Sequence, residues 1–211
     1  MYNIHMIFIK AKSPEELFKK AFIAVYNLET LEGDPKNYKD SSAILTLEDY
    51  QGDEGVGLND DGFYSSFDYD KYIVEGKQQM LMEIEHYDQE IIKSGKLASF
   101  LRYFNSDETT KKAVINLWEN NLLDPKKPFP CLMYTWFRKH EGILHMNCHM
   151  RANNAYKILI MDLQIGTSLH AYVAKKMGLR KGVYHHIVDT LHFYEKEMDE
   201  IENLYKKLNQ T

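Results

Sequence analysis

Arginine is scarce in this chain, with four among 211 residues: Arg102, Arg138, Arg151 and Arg180. A site for a phosphate group must therefore draw on one of these, on lysines or on backbone amides. Net basic charge is also lacking. A formal charge of −5 and a pI near 6.0 exclude a nucleic-acid binder that works by neutralising phosphates, although a local basic pair can still hold a small anion. No run reaches the ~18 apolar residues of a membrane-spanning helix. Met1 to Lys10 is a short apolar strand without a basic lead, so no secretory leader is expected and a cytoplasmic, reducing setting is the default. The two cysteines, Cys131 and Cys148, form neither a disulfide framework nor a metal-ligand spacing. Nine histidines do not make up for this: His145 and His149, four apart on a strand, have Cα atoms about 13 Å apart, so no metal site is expected.

What is present is ordinary for a globular protein. Hydrophobic residues make up 44% and charged residues 27%, and the length suits a single domain over residues 1–211 with one substantial core. Ser13-Pro14-Glu15-Glu16 starts a helix to about Leu28, with serine as cap, proline first and acid in the first turn. Ala43 to Glu48 reads as a strand, and Gln51 to Gly62, rich in Gly, Asp and Asn, as a loop. Helical spacing covers Tyr72 to Ile92 and Leu97 to Phe104, and Lys112 to Trp118 reads as a strand. Two further strands meet at Glu141-Gly142, a hairpin signal. In the second, Leu144, Met146, Cys148 and Met150 face one way and His145, Asn147, His149 and Arg151 the other, which suits a sheet covered on both sides. Asn153 or Asn154 caps a long helix to about Met177, a strand follows near Val183–Ile187, and Phe193 to Leu208 forms a charged amphipathic helix. The expected fold is one α+β domain.

Chemistry concentrates in the second half. Cys131, in Pro128-Phe129-Pro130-Cys131-Leu132, opens a strand that leads to Arg151. A thiolate held beside a fixed positive charge is a competent nucleophile, whereas a buried cysteine is inert packing. Asp162 lies in the apolar stretch Ile158 to Ile165, where an unpaired carboxylate is costly, so it is either functional or structurally paired. Cys148, on the Leu144/Met146/Met150 face, reads as core.

From Thr110 onward the chain resembles the thymidylate synthase family, which includes the pyrimidine-nucleotide hydroxymethylases. Lys111-Lys112 and the strand to Trp118 look like the family's paired basic residues and tryptophan. Pro130-Cys131 looks like its Pro-Cys nucleophile, Gly142 like its hairpin glycine and Arg151 like the arginine of its Arg-Ser motif. Asp162 stands at its Pro-Phe-Asn helix, and His192-Phe193-Tyr194 looks like its His-x-Tyr. The pieces run in register over roughly 85 residues, about two fifths of the chain, while the first hundred match poorly.

The resemblance implies a thymidylate-synthase-like mixed sheet covered by helices, with a long central helix after the catalytic hairpin. It implies a pyrimidine mononucleotide as substrate, 5,10-methylenetetrahydrofolate as one-carbon donor, and a homodimer in which the basic pair crosses to the partner's site. Cys131 would add to C6, Asp162 would read the ring, Arg151 with Lys111 and Lys112 would hold phosphate, and His192 with Tyr194 would hold the sugar. Aspartate replaces the family's ring-reading asparagine, as in its dCMP and CMP hydroxymethylases. An ionised carboxylate only accepts hydrogen bonds and so suits the 4-amino group of cytosine. The expected reaction is therefore hydroxymethylation of dCMP or CMP. The alternatives are methylation of dUMP, or a non-catalytic nucleotide-binding relative. Other departures are Ala152 for the serine after the arginine, Leu132 for the histidine after the nucleophile, and Asn154 for the aspartate near the folate. The sequence ends at Thr211, 17 residues after Tyr194, short of the family's folate-closing segment. Glu48 and Glu75 are the candidates for its catalytic glutamate.

Overall fold

A computed structural model describes residues 6–31, 38–50, 56–65, 82, 84–107, 110–118 and 130–209. The chain enters through strand β1 (Ile7–Ala11) and helix α1 (Pro14–Tyr26). The Ser13 hydroxyl accepts from the Glu16 amide, and Leu17, Phe18, Ala21, Phe22 and Val25 form the buried face of α1. That spacing is one side of a 3.6-residue helix, and each such apolar side chain contributes about 1.5–3 kcal/mol on burial. The Phe22 ring meets the Phe193 ring at 5.2 Å, pinning α1 over the far end of the sheet.

Strand β2 (Lys39–Leu47) pairs parallel to β1 and antiparallel to the 14-residue strand β9 (Arg180–Phe193). On the other side β9 pairs parallel with β7 (Ile143–Met150), which forms a hairpin with β6 (Leu132–His140), followed by β5 (Val114–Asn116) at the edge. The two-residue turn has positive φ at Glu141 (49°) and Gly142 (74°), the handedness that matches the strands' twist. Helix α2 (Lys96–Ser106) packs near β5, and helix α3 (Leu159–Lys176) crosses from β7 to β9. Fourteen residues of α3 are buried, most of them apolar and five of them polar, so the helix is packed around most of its circumference. Gly166 lets the Tyr184 ring lie against this helix, because a Cβ there would collide with the phenol. Helix α4 (Met198–Asn209) closes the described chain. This is the expected α+β arrangement of a mixed sheet with a long helix after the hairpin.

Several boundaries differ from expectation. Part of the region read as a loop is a hairpin of β3 (Val56–Asn59) and β4 (Gly62–Ser65); the Asn59 side chain accepts from the amides of Asp61 and Gly62, so its Asn-Asp-Asp-Gly composition is that of the turn. Asn153 and Asn154 do not cap α3. They form the two-residue strand β8 on β9, and Asn154 Oδ1 accepts from the Tyr156 and Lys157 amides in the turn before the helix. The strand expected over five residues extends to Phe193, so the last helix starts at Met198 after a 3-10 turn. The helix expected from Tyr72 falls partly outside the described residues; Asp88–Lys93 is a π-helical segment. The face carrying Leu144, Met146, Cys148 and Met150 is buried, whereas His145, Asn147 and His149 are only half-buried.

Candidate functional site

The hairpin places the nucleophile candidate beside its cation. Because β6 and β7 join through a two-residue turn, Leu132 lies opposite Met150, and the residues just outside, Cys131 and Arg151, become neighbours. The Arg151 amide donates to the Cys131 carbonyl at 2.9 Å. Its Nε donates to the Pro130 carbonyl at 3.1 Å, and Nη2 lies 3.9 Å from Cys131 Sγ. A register shift between Leu132 and Tyr134 marks a bulge beside the cysteine, a device that re-aims a strand end. Cys131 is exposed; Cys148 is buried, and burial pushes its thiol up to about 12. Only the first is available as a thiolate.

Cys131 and Arg151 open onto a cleft of about 390 Å³ that also takes in Asp162, His192 and Tyr194. Asp162, in the first turn of α3, is 4% exposed. Its Oδ1 accepts from the Tyr87 hydroxyl at 3.1 Å and its Oδ2 from Asn153 Nδ2 at 3.0 Å. His192, next to last in β9, donates from Nδ1 to the Thr190 carbonyl at 3.1 Å, and Nε2 is the ring nitrogen left over by that bond. The Tyr194 ring meets it edge-on at 4.8 Å. Burial, Glu197 and Cys131, in that order, raise the Tyr194 hydroxyl above its ordinary value. Four buried side-chain polar atoms have no partner among the described residues, and two of them, Asn153 Oδ1 and His192 Nε2, belong to residues lining this cleft. Buried polar atoms are nearly always bonded, so these two are the candidates in this cleft for contacts with a ligand.

The structure brings together five of the seven expected site residues. Lys111 and Lys112 stand apart. Lys111 lines a separate, larger groove with Trp136, Arg138 and His140 near the hairpin turn. Glu48 is ion-paired with Lys10 and is absent from the cleft lining, and Glu75 lies outside the described residues. Among the described residues no group of three His, Cys, Asp or Glu could hold a metal ion, and no helix is long and apolar enough to cross a membrane.

Sequence reasoning missed a polar cluster on one wall. Glu197, 3% exposed, accepts from Asn154 Nδ2 at 2.8 Å and pairs with Lys157 Nζ at 3.2 Å, and Lys196 stands beside them in the lining. Glu197 lies in the charged run Glu195 to Glu200, where nothing distinguishes a buried carboxylate from a solvated one.

The thymidylate synthase family model matches residues 73–211. The chain belongs to the thymidylate synthase family. The match begins well before Thr110, where the recognisable motifs start. A relative from Methanocaldococcus jannaschii, provisionally named a thymidylate synthase, is 24% identical over 150 residues, 68% of this chain and 64% of its own. The thymidylate synthase of Streptococcus suis is 21% identical over 128 residues, 58% of this chain and 46% of its own. The chain thus spans about half to just under two thirds of the length of these relatives. Thermostable thymidylate synthase A from Bacillus subtilis superposes with a TM-score of 0.62 over 92% of this chain and 84% of that one, at 13% identity. The thymidylate synthase fold is therefore retained where little of the sequence is.

Proposed function

We propose that this chain transfers a one-carbon unit to C5 of a pyrimidine mononucleotide, with a cytidine nucleotide as substrate and a 5-hydroxymethyl product. The observation that carries this reading is the sharing of one cleft by the Cys131 thiol, the Arg151 guanidinium 3.9 Å from it and the buried Asp162 carboxylate. The Cys131 thiolate adds to C6, forming the S–C6 bond and shifting the ring's electron pair to C5, which becomes nucleophilic. Once C5 carries the one-carbon unit, its proton is lost as the donor's amine nitrogen leaves, which gives a methylene on C5. Water adds to that methylene, the pair shifts into C5–C6 and the S–C6 bond breaks, so the thiolate is regenerated. Arg151 holds the Pro130 and Cys131 backbone in place and presents positive charge to the thiolate and to the substrate phosphate. Asp162, held by Tyr87 and Asn153, accepts from the cytosine 4-amino group. His192 Nε2 and the Tyr194 hydroxyl receive the sugar.

The wall formed by Asn154, Glu197, Lys157 and Lys196 fits methylenetetrahydrofolate. Asn154, Glu197 and Lys157 are bonded to one another and fix the shape of this wall, and Lys196 beside them would meet the donor's anionic tail. When bound, that group supplies the one-carbon unit at the oxidation level of formaldehyde. We also propose a homodimer in which Lys111 and Lys112, remote from their own cleft, serve the partner's phosphate site.

The test is release of tritium from C5 of dCMP and CMP. Cys131→Ala should lower exchange by at least about 1,000-fold, as expected when a covalent nucleophile is removed, and wild-type-like exchange in this variant would overturn the mechanism. Asp162→Asn should move binding towards dUMP; an unchanged base preference refutes the cytosine assignment. Product analysis separates the 5-hydroxymethyl from the 5-methyl outcome.

A further inference from the structure

We propose that Asn153 is a second base-reading residue, whose Oδ1 accepts one hydrogen of the cytosine 4-amino group while Asp162 accepts the other. The proposal rests on the cytidine reading above and deepens it.

Asn153 is 2% exposed, is fixed by the pairing of β8 with β9, and lines the cleft beside Asp162. Its Nδ2 lies 3.0 Å from Asp162 Oδ2 and 3.1 Å from His186 Nε2. An amide nitrogen only donates, so both neighbours must accept and both of its hydrogens are used. His186 is buried, and desolvation pushes its ring down to about 3, so it is neutral at physiological pH. With Nε2 accepting, the ring proton sits on Nδ1 and is donated to the Tyr184 oxygen at 2.9 Å. Turning the amide over would set Oδ1 against a carboxylate oxygen and an imidazole lone pair. The orientation is therefore locked, and His186 is the positioning residue that locks it.

What remains is Oδ1, buried and without a partner among the described residues. Leaving such a carbonyl unpaired is costly. A ligand with two hydrogens on one nitrogen relieves this cost, because one hydrogen goes to Asp162 and the other to Asn153. Cytosine carries such a group at C4. Uracil carries O4, which offers only lone pairs to these two acceptors and so is rejected for want of a donor.

The experiment is calorimetric titration of the full chain with dCMP and with dUMP. Wild type should prefer dCMP. Asn153→Ala should lose about tenfold in dCMP affinity with little change for dUMP, so the ratio narrows. His186→Phe removes the lock and frees the amide to present its nitrogen, which should narrow the ratio further and improve dUMP binding. His186→Gln, which can offer a carbonyl acceptor in place of Nε2, should restore part of the preference. A fold defect would weaken both nucleotides together, and an equal loss of both in Asn153→Ala overturns the proposal. A ratio unchanged from wild type in both Asn153→Ala and His186→Phe also overturns it, while leaving the cytidine reading in place. If wild type itself shows no preference for dCMP, the cytidine reading fails and this inference falls with it.

Discussion

Two buried histidine networks lie at opposite ends of β7, and they end differently. Near the hairpin turn, His170 donates from Nε2 to the Leu144 carbonyl at 2.8 Å and accepts at Nδ1 from the Tyr50 hydroxyl at 2.7 Å. Both ring nitrogens are used within the protein, and desolvation pushes the ring down to about 4. At the cleft end, His186 likewise has both nitrogens engaged, but its chain runs through Asn153 to Asp162 and stops at the open Asn153 Oδ1. The same residue type, equally buried, serves the fold in one place and, in the proposal above, positions a base-reading amide in the other. Closure on the backbone distinguishes a structural network from one completed by something bound.

The largest effect that bears on this contrast is expected at the closed end. His170→Ala removes a buried donor to the Leu144 carbonyl and opens a cavity, and should cost about 3 kcal/mol in urea unfolding. The dCMP/dUMP affinity ratio should stay at the wild-type value, and a shift in it would break the contrast. Acid tests both networks at once. The folded histidines hold pKa values of about 4 and 3, below the ordinary 6.5, so between these values the unfolded chain binds more protons. Their contribution is fully present above pH 6.5 and falls as pH drops towards 4. Between pH 7 and pH 5.5 each should remove about 1.3 kcal/mol, and His170→Gln should remove about half of the combined slope.

The lysine pair far from its own cleft gives a smaller effect. Lys111→Ala with Lys112→Ala should weaken nucleotide binding by about tenfold if the proposed dimer forms, with stability unchanged, because both residues are exposed on the surface. Unchanged affinity would remove the cross-dimer role. Smallest is Cys148→Ala, a loss of about 1 kcal/mol of stability with C5 exchange retained. A thiol reagent should modify exposed Cys131 first, and dCMP should protect it.

Much of the fold was legible where local rules decide it. Ser13-Pro14 fixed the start of α1, and the Glu141-Gly142 turn with alternating β7 fixed the hairpin register. That register is why Cys131 and Arg151 could be paired from sequence. The β3–β4 hairpin was misread as a loop because its turn residues outnumber its few apolar ones. Burial of Glu197 was invisible, since it sits in the run Glu195 to Glu200, where every residue but Met198 is charged.

The sequence by itself determined the α+β class, the pairing of the candidate nucleophile with its cation, and the acidic residue at the position of the family's ring-reading asparagine. Turn chemistry, strand alternation and local motif spacing act over a few residues and can be read along the chain. Only the tertiary structure decided that Asn153 meets His186, 33 positions away, and that its Oδ1, beside Asp162, has no partner among the described residues. The α3 crossover sets the parallel register of β7 and β8 on β9, and no local spacing specifies which side chains such a register brings together.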